Sequence, residues 1–117
     1  MRYAFLIYND ESTSPAQGSP ELNERIAAYA AFTESAQSSG KWEAGEALQP
    51  TATATVVRAD SDGSPVTTDG PFAETKEQLA GFYILDCENL DEAVELAAKI
   101  PAASHGSVEV RPIWDVR

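Results

Sequence analysis

The stretch "LAGFYILDC", Leu79–Cys87, decides the fold because apolar residues occupy both of its faces. Successive side chains of a β-strand point to opposite sides of the sheet. Phe82 and Ile84 therefore face one side, while Tyr83 and Leu85 face the other. A sheet that exposes one face to water alternates apolar and polar residues, so this strand is predicted to be covered on both faces.

Several other segments have strand patterns. "RYAFLIY", Arg2–Tyr8, is apolar on both faces and is predicted as the first strand. "TATATVVRA", Thr51–Ala59, alternates and is rich in β-branched residues, and with "SPVTT" after the turn "DSDG" it is predicted as a hairpin. The last strand is predicted at Ser107–Ile113. "KWEAGEALQP", Lys41–Pro50, is interrupted by glycine and proline and is predicted as a loop or a short extended piece.

Two segments have helical signals. The first helix is predicted from the cap Ser19 to about Ser39, with Gly40 as its stop. Its face at helical spacing consists of Leu22, Ile26, Tyr29, Ala30 and Thr33. The second helix is predicted between the cap Asn89 and Pro101, with a capping box completed by Glu92. Its buried side is predicted to be formed by Leu90, Ala93, Val94, Ala97 and Ile100.

The order of these elements is the βαββαβ pattern of a ferredoxin-like fold with an added hairpin. The fold class is therefore predicted as α+β, with an antiparallel sheet and both helices on one face. The second face of the sheet then needs another cover, and a second copy of the chain is the simplest one. The prediction is a homodimer with sheets packed face to face. The alternative is that the loops Asn9–Ser19 and Gly40–Pro50 fill this face.

Composition restricts the classes of partner. The 117 residues fit one domain, residues 1–117, and carry a net charge of −11. That charge disfavours nucleic acids and anionic membrane surfaces, which bind clustered cations. No apolar run approaches the ~20 residues that span a bilayer, and no cleavage site follows the first strand, so a cytoplasmic protein is predicted.

The sequence contains none of the common motifs for binding a metal or a nucleotide cofactor. Cys87 is the only cysteine, so no internal disulfide can form, and it is predicted as a buried, inert thiol. One cysteine and one histidine cannot build the usual zinc site. There is no glycine-rich phosphate loop, dinucleotide fingerprint or serine nucleophile elbow. The sequence therefore predicts no metal site and no cofactor.

The string "DGPFAETKEQLAGFYIL", Asp69–Leu85, resembles the signature of YCII-related proteins of the DGPF type. The resemblance extends to "GEALQP", "LDEAVELAAKIP" and "GSVEVRP", and so covers most of the chain. It implies a dimeric α+β barrel and no settled activity. Relatives in the wider group are suspected of catalysis because polar residues gather in a cleft. Members of the DGPF branch are also linked to sigma factors of the extracytoplasmic-function type.

Asp69 and the cluster that follows it are candidates for site residues. Asp69 either ties a turn together by accepting backbone hydrogen bonds or is a carboxylate held at a cleft, suited to act as a general base. Glu74, Lys76 and Glu77 either form a surface ion-pair set or line a pocket, where Lys76 would hold an anionic group. The resemblance is what supports the pocket for at least one of these three residues, and both alternatives stay open.

Two further candidates lie near the end of the chain. His105 titrates near neutral pH and would suit a proton shuttle, although a single loop histidine is more often exposed and idle. Arg111 either pairs with an acidic residue or donates two hydrogen bonds from its guanidinium to a ligand carboxylate.

Three functions remain open at this point. The first is a small-molecule-binding protein, with Asp69 and His105 as acid–base residues and Glu74, Lys76, Glu77 and Arg111 as ligand contacts. The second is a regulatory or interaction module that works with a sigma factor. The third is a dimer with no small ligand.

Overall fold

A four-stranded antiparallel sheet with two helices forms the centre of the chain, and the computed structural model describes residues 1–116. The elements in chain order are β1 (Arg2–Asn9), α1 (Pro20–Ser38), β2 (Trp42–Ala47), β3 (Thr55–Ala59), β4 (Pro65–Asp69), β5 (Gln78–Asp86), α2 (Leu90–Lys99) and β6 (Ser107–Pro112). Short 3₁₀ turns occupy Glu11–Thr13, Thr51–Thr53 and Pro101–Ser104.

The main sheet has the strand order β2-β5-β1-β6, and every neighbouring pair is antiparallel. Each helix connects two strands that are not neighbours in the sheet, which is the ferredoxin-like arrangement. The predicted α+β fold with two helices and an added hairpin is therefore confirmed.

The helices cover one face of this sheet, as predicted. The side chains beneath them are almost fully buried: Tyr3, Phe5 and Ile7 from β1, and Tyr83 and Leu85 from β5. The alternate residues of both strands face the other way and are half-buried in the single chain. Two apolar rows cross this open face, because Leu6 lies opposite Phe82 and Ala4 lies opposite Ile84.

The edge strand of the main sheet differs from the prediction. The prediction of a loop or short extended piece missed that Trp42–Ala47 is the strand β2, which pairs with β5. Gly45 weakens the strand pattern of β2, and it is glycine because two aromatic rings pack against its main chain. A β-carbon at this position would lie 2.7 Å from ring carbons of both Trp42 and Tyr83. The interior thus requires glycine where a strand pattern would favour a larger residue.

The predicted hairpin forms, but it is separate from the main sheet. Among residues 1–116, β3 and β4 pair only with each other. The predicted strand starts at Thr55 because residues 51–53 form a 3₁₀ turn. Nearly every hairpin residue is exposed. The radius of gyration of 16.3 Å exceeds the ~13 Å of a compact domain of this length, as a projecting hairpin requires.

The helix caps are confirmed, whereas the buried faces are partly different. The Ser19 hydroxyl accepts a hydrogen bond from the Leu22 amide at 3.1 Å, and Gly40 has a positive φ of 76° after α1. On α1, Ile26 and Ala30 are exposed, and the packed side runs through Tyr29 and residues 32 and 36.

The second helix differs in the same way. Ala93, Ala97 and Ile100 are buried as predicted, but Leu90 and Val94 are exposed. Leu90 and Val94 are four residues apart, so they lie together on the helix surface, beside the stripe of Ala93, Ala97 and Ile100. No helix within residues 1–116 is long and apolar enough to cross a membrane.

Candidate functional site

A cavity of about 420 Å³ lies between α1 and the side of the sheet formed by β2 and β5. Its volume falls in the ~300–1,000 Å³ range of small-molecule sites. The helix contributes Tyr29, Ala30 and Thr33 to the lining. The sheet contributes Trp42 and Tyr83 among other residues. The cavity is therefore formed by α1 and by the edge of the sheet that the sequence did not reveal as a strand.

One wall of the cavity is an ordered aromatic cluster centred on Tyr83. The ring of Phe32 stacks on Tyr83 with ring centres 5.1 Å apart, and Trp42 meets the same ring edge-on at 5.6 Å. The Tyr83 hydroxyl lies 3.2 Å from the Thr33 hydroxyl. The ring of Tyr83 is therefore contacted by two other aromatic rings and by the Thr33 hydroxyl.

Two glycines bring main chain and rings close together beside the cavity. Gly45 leaves room for the rings of Trp42 and Tyr83, as described above. Gly81 lies under the neighbouring strand, where a β-carbon would lie 2.7 Å from the Glu46 carbonyl oxygen. Both glycines line the cavity, so larger residues at either position would disturb its shape.

Asn9 and Tyr29 line one end of the cavity, but the polar atoms of their side chains are buried and do not open into it. Within residues 1–116, Asn9 Oδ1 and the Tyr29 hydroxyl are closed off from water and have no hydrogen-bond partner of good geometry. Burial, followed by the nearby Tyr83, raises the pKa of Tyr29, while proximity to Asn9 opposes the rise. Tyr29 is therefore a neutral phenol at physiological pH.

The lining carries almost no charge. Among the described residues that line the cavity there is no lysine, arginine or histidine, and Glu46 is the one acidic residue. Glu46 lies opposite Phe82 in the register of β2 and β5, and its side chain is exposed. The carboxylate of Glu46 is therefore solvated, and the cavity walls are uncharged.

The six site residues suggested by the sequence lie elsewhere, and none lines this cavity. Asp69 is the last residue of β4, is exposed and lies opposite Thr55 in the projecting hairpin. The following turn is held by the Gly70 amide, which donates to the Ala54 carbonyl at 2.8 Å. Gly70 has a φ of 97°, which explains the glycine.

The residues after this turn form an exposed connection that is tied to the sheet only at its end. Glu74 and Lys76 are exposed, and no ion pair within residues 1–116 involves Lys76. Glu77 is half-buried and accepts a hydrogen bond of 2.7 Å from the Ser107 hydroxyl of β6. The structure therefore does not bring the three side chains together as an ion-pair set.

The last two candidates are separated as well. His105 follows the 3₁₀ turn before β6, where burial and then the charge of Arg25 lower its pKa. Arg111 is exposed on β6 and pairs with Glu109, and this pairing raises the pKa of the guanidinium. Its role as an ion-pair partner is the structural alternative given above. Asp69, His105 and Arg111 as ligand or catalytic groups stay predictions.

Sequence analysis did not select the residues that order the start of β5. The Glu11 amide donates to Gln78 Oε1 at 2.9 Å, and the Glu11 carboxylate accepts from the Thr51 amide at 2.9 Å. Three separate segments thus meet at Glu11. The only local signal was the unusual length of the loop in which Glu11 lies.

Cys87 is buried directly after β5, as predicted for an inert thiol. Its exposed fraction is 2%, and burial, followed by the carboxylate of Glu92, raises its pKa. Lys41 lies near enough to oppose this rise, but its ammonium pairs with Glu92 at 2.8 Å. Within residues 1–116 no group of three histidine, cysteine, aspartate or glutamate side chains could hold a metal ion.

The fold and cavity define a small α+β protein with a ferredoxin-like sheet and a ligand-sized space beneath its first helix. The chain belongs to the family of the YCII-related domain, whose model matches residues 1–117. It is also 44% identical over 115 residues to a protein of Rhizobium meliloti (strain 1021) described as uncharacterized. That alignment covers 97% of this chain and 92% of the relative.

Proposed function

We propose that this YCII-related protein binds a small molecule in the cavity beneath α1. The observation that carries the proposal is the cavity itself, about 420 Å³ in volume, with a mainly apolar lining and an aromatic wall. Sites for small molecules have this character, being concave, mainly apolar and provided with a small number of polar groups. The cavity belongs to a single chain and needs no rearrangement of the fold.

The experiment that tests this proposal blocks the cavity and follows a neutral apolar fluorophore, N-phenyl-1-naphthylamine. Ala30 lines the cavity from α1, so Ala30→Trp places an indole at its wall. Ala28→Trp is the matched control, because Ala28 is exposed on the same helix and lies outside the cavity lining. We expect saturable binding to wild type and the control, and at least about tenfold weaker binding to Ala30→Trp. Absence of saturable binding, or equal binding to both variants, would contradict the proposal.

The proposal also includes acid–base chemistry by Asp69 and His105, although neither residue lines the cavity. Catalysis by these residues, with Glu74, Lys76, Glu77 and Arg111 as ligand contacts, would need a second site near the DGPF segment. Substrate profiling of wild type beside Asp69→Asn tests it. Equal turnover by the two proteins would remove Asp69 from the chemistry.

A homodimer through the open face of the sheet is proposed as the state in which the protein acts. The half-buried rows Leu6–Phe82 and Ala4–Ile84 support it, because they are apolar and neither helix covers them. Light scattering at micromolar concentration should give twice the mass of one chain. A monomeric mass would contradict the dimer without affecting the cavity.

A second candidate function is a non-enzymatic interaction module, and the projecting hairpin supports it. Val57 and Val66 are 62% and 48% exposed on β3 and β4, and Phe72 just beyond the hairpin is 76% exposed. In the register of the hairpin Val57 lies opposite Thr67 and Val66 lies opposite Arg58, so the two valines project from opposite faces. The ring of Phe72 lies 5.5 Å from the Arg58 guanidinium and therefore on the side of Val66. Exposed apolar side chains on a projecting element are typical of protein-binding surfaces. The resemblance to the DGPF branch suggests a sigma factor of the extracytoplasmic-function type as partner.

Calorimetric titration with such a sigma factor tests the second candidate. Replacing Val66 and Phe72 by serine should abolish the heat of binding, whereas Ala30→Trp should leave it unchanged. If wild type shows no binding, the interaction module is rejected.

A further inference from the structure

We infer that the cavity takes an uncharged, planar aromatic ring in preference to an ionic or a saturated molecule of similar size. The inference rests on the binding function proposed above and adds the chemical class of the ligand. It depends on three features of the lining: the small residues that create the space, the lack of charged groups inside it and the aromatic residues at its wall.

The space exists because small residues line it on both sides. These are Ala30 on α1 and Gly45, Ala47, Ala80 and Gly81 on the two strands opposite. Glycine within a strand often marks a place where a ligand or another main chain approaches closely. This part of the sheet thus presents main chain and small side chains to the cavity, and a flat ring can lie against such a surface.

The carboxylate of Glu46 lies on the other side of the sheet, although Glu46 is the one acidic residue among the described residues of the lining. Glu46 is opposite Phe82, and directly opposite residues of an antiparallel pair point to the same face. Phe82 is one of the residues of β5 that face away from the helices. An ammonium group held beneath α1 would therefore lack a counter-ion.

Anions are no better matched to the lining. No lysine, arginine or histidine lines the cavity within residues 1–116, so a carboxylate or phosphate would have no cation to pair with there. A charge removed from water requires an opposite charge or several hydrogen bonds. The net charge of −11 adds a general repulsion of anions. The lining therefore favours an uncharged ligand.

The aromatic residues of the lining favour a ring over a saturated molecule. Tyr29, Trp42 and Tyr83 line the cavity, and the rings of Trp42 and Tyr83 meet edge to face. Aromatic rings in offset or edge-to-face contact gain more than their buried area alone provides. A saturated analogue buries at least as much apolar surface but lacks this contribution. An aromatic ligand should therefore bind more tightly than its saturated analogue, which is not the order that burial alone predicts.

The test compares four probes for displacement of N-phenyl-1-naphthylamine from the full chain. These are 2-naphthylmethanol, its saturated analogue decahydro-2-naphthylmethanol, the anion 2-naphthoate and the cation 2-naphthylmethylammonium. The two neutral probes carry the same hydroxymethyl group, so they differ only in the ring system. We expect 2-naphthylmethanol to bind about tenfold more tightly than either ion and about fivefold more tightly than the saturated analogue.

Replacement of Trp42 tests the aromatic wall. Trp42→Leu removes one aromatic ring from the lining, and Trp42→Phe is the matched control that keeps one. We expect Trp42→Leu to reduce the preference for the aromatic over the saturated probe to less than about twofold, and Trp42→Phe to retain it. A general loosening of the cavity would weaken both probes and leave their ratio unchanged. Thermal unfolding shows whether the variants fold, and the comparison of the four probes on wild type tests the inference if Trp42→Leu does not fold.

The outcomes separate this inference from the proposed function. If either ion binds as tightly as 2-naphthylmethanol, and Ala30→Trp weakens its binding, the uncharged class is wrong and the binding cavity stands. If the saturated analogue binds as tightly as 2-naphthylmethanol, or if folded Trp42→Leu keeps the full preference, the aromatic class is wrong. If neither the fluorophore nor any probe binds to wild type, the proposed function fails together with the inference.

Discussion

The Thr33 hydroxyl lies 3.2 Å from the Tyr83 hydroxyl, and this contact joins α1 to the central strand β5 at the wall of the cavity. Tyr83 is only 7% exposed, so its hydroxyl has little access to water. Thr33 is half-buried, and its hydroxyl can reach water or the preceding turn of the helix. The two partners of this hydrogen bond therefore depend on it to different degrees.

Removal of the Thr33 hydroxyl should destabilise the protein more than removal of the Tyr83 hydroxyl. Thr33→Val leaves a buried phenol unpaired, and we expect it to lower the free energy of unfolding by about 1–2 kcal/mol. Tyr83→Phe should lower it by less than about 1 kcal/mol. Urea unfolding of both variants measures the difference, with Thr33→Ser as the control that keeps the hydroxyl. Equal losses for the two variants would contradict the unequal dependence of the two partners on this hydrogen bond.

Gly45→Ala should destabilise the protein through the ring of Trp42. The added β-carbon would lie 2.7 Å from ring carbons of Trp42 and Tyr83, well inside van der Waals contact. We expect a loss of about 1–3 kcal/mol, as for other overpacked interiors. In a Trp42→Phe background the smaller ring leaves room, so the loss should be reduced. A double-mutant cycle by urea unfolding measures this coupling, and strictly additive losses would contradict the close packing.

The pair Lys41–Glu92 should give a defined dependence of stability on pH. The hydrogen bond from Lys41, followed by one from the Glu88 amide, holds the pKa of Glu92 below its ordinary value of 4.5. Its partner raises the pKa of Lys41 above 10.5. An acid whose pKa is lowered by folding stabilises the fold fully when the pH is above the ordinary pKa of that acid. A base whose pKa is raised by folding stabilises the fold fully when the pH is below the ordinary pKa of that base. The ion pair therefore makes its full contribution to the free energy of unfolding between about pH 4.5 and pH 10.5.

Glu92→Gln should lower the urea midpoint at pH 7, and its difference from wild type should shrink as the pH falls below about 4.5. Glu95→Gln is the control, because Glu95 is exposed on the same helix. A difference between wild type and Glu92→Gln that stays constant down to pH 3 would show that the ion pair is not its source.

Cys87 should be unreactive in the folded protein. Its side chain is buried, and its raised pKa keeps the thiolate, which is the reactive form, scarce at neutral pH. We expect an aromatic disulfide reagent to label it about a hundredfold more slowly at pH 8 than in denaturant, because labelling requires local opening. Rapid stoichiometric labelling of the native chain would contradict the buried placement.

The parts of the fold that the sequence predicted are those with strong local patterns. The two-sided apolar strands at residues 2–8 and 79–87, the Ser19 cap and the stop at Gly40 each depend on neighbouring residues alone. The edge strand β2 was missed because it contains Gly45, which weakens the strand pattern. Glycine is required there by the ring of Tyr83, which is distant in sequence and would clash with a β-carbon. Leu90 and Val94 were assigned to the wrong side of α2 because the helical pattern there permits two adjacent stripes.

The sequence alone determined the α+β class, the strand and helix order and the family resemblance, because alternation, capping residues and the DGPF string are local properties of the chain. Only the tertiary structure decided where a ligand could bind. Asn9, Tyr29 and Trp42 lie on three different elements and meet because α1 packs against the edge of the sheet. The same packing leaves the hairpin with Asp69 outside the main sheet. A cavity is the space between packed elements, so the local sequence pattern of a single element cannot predict it.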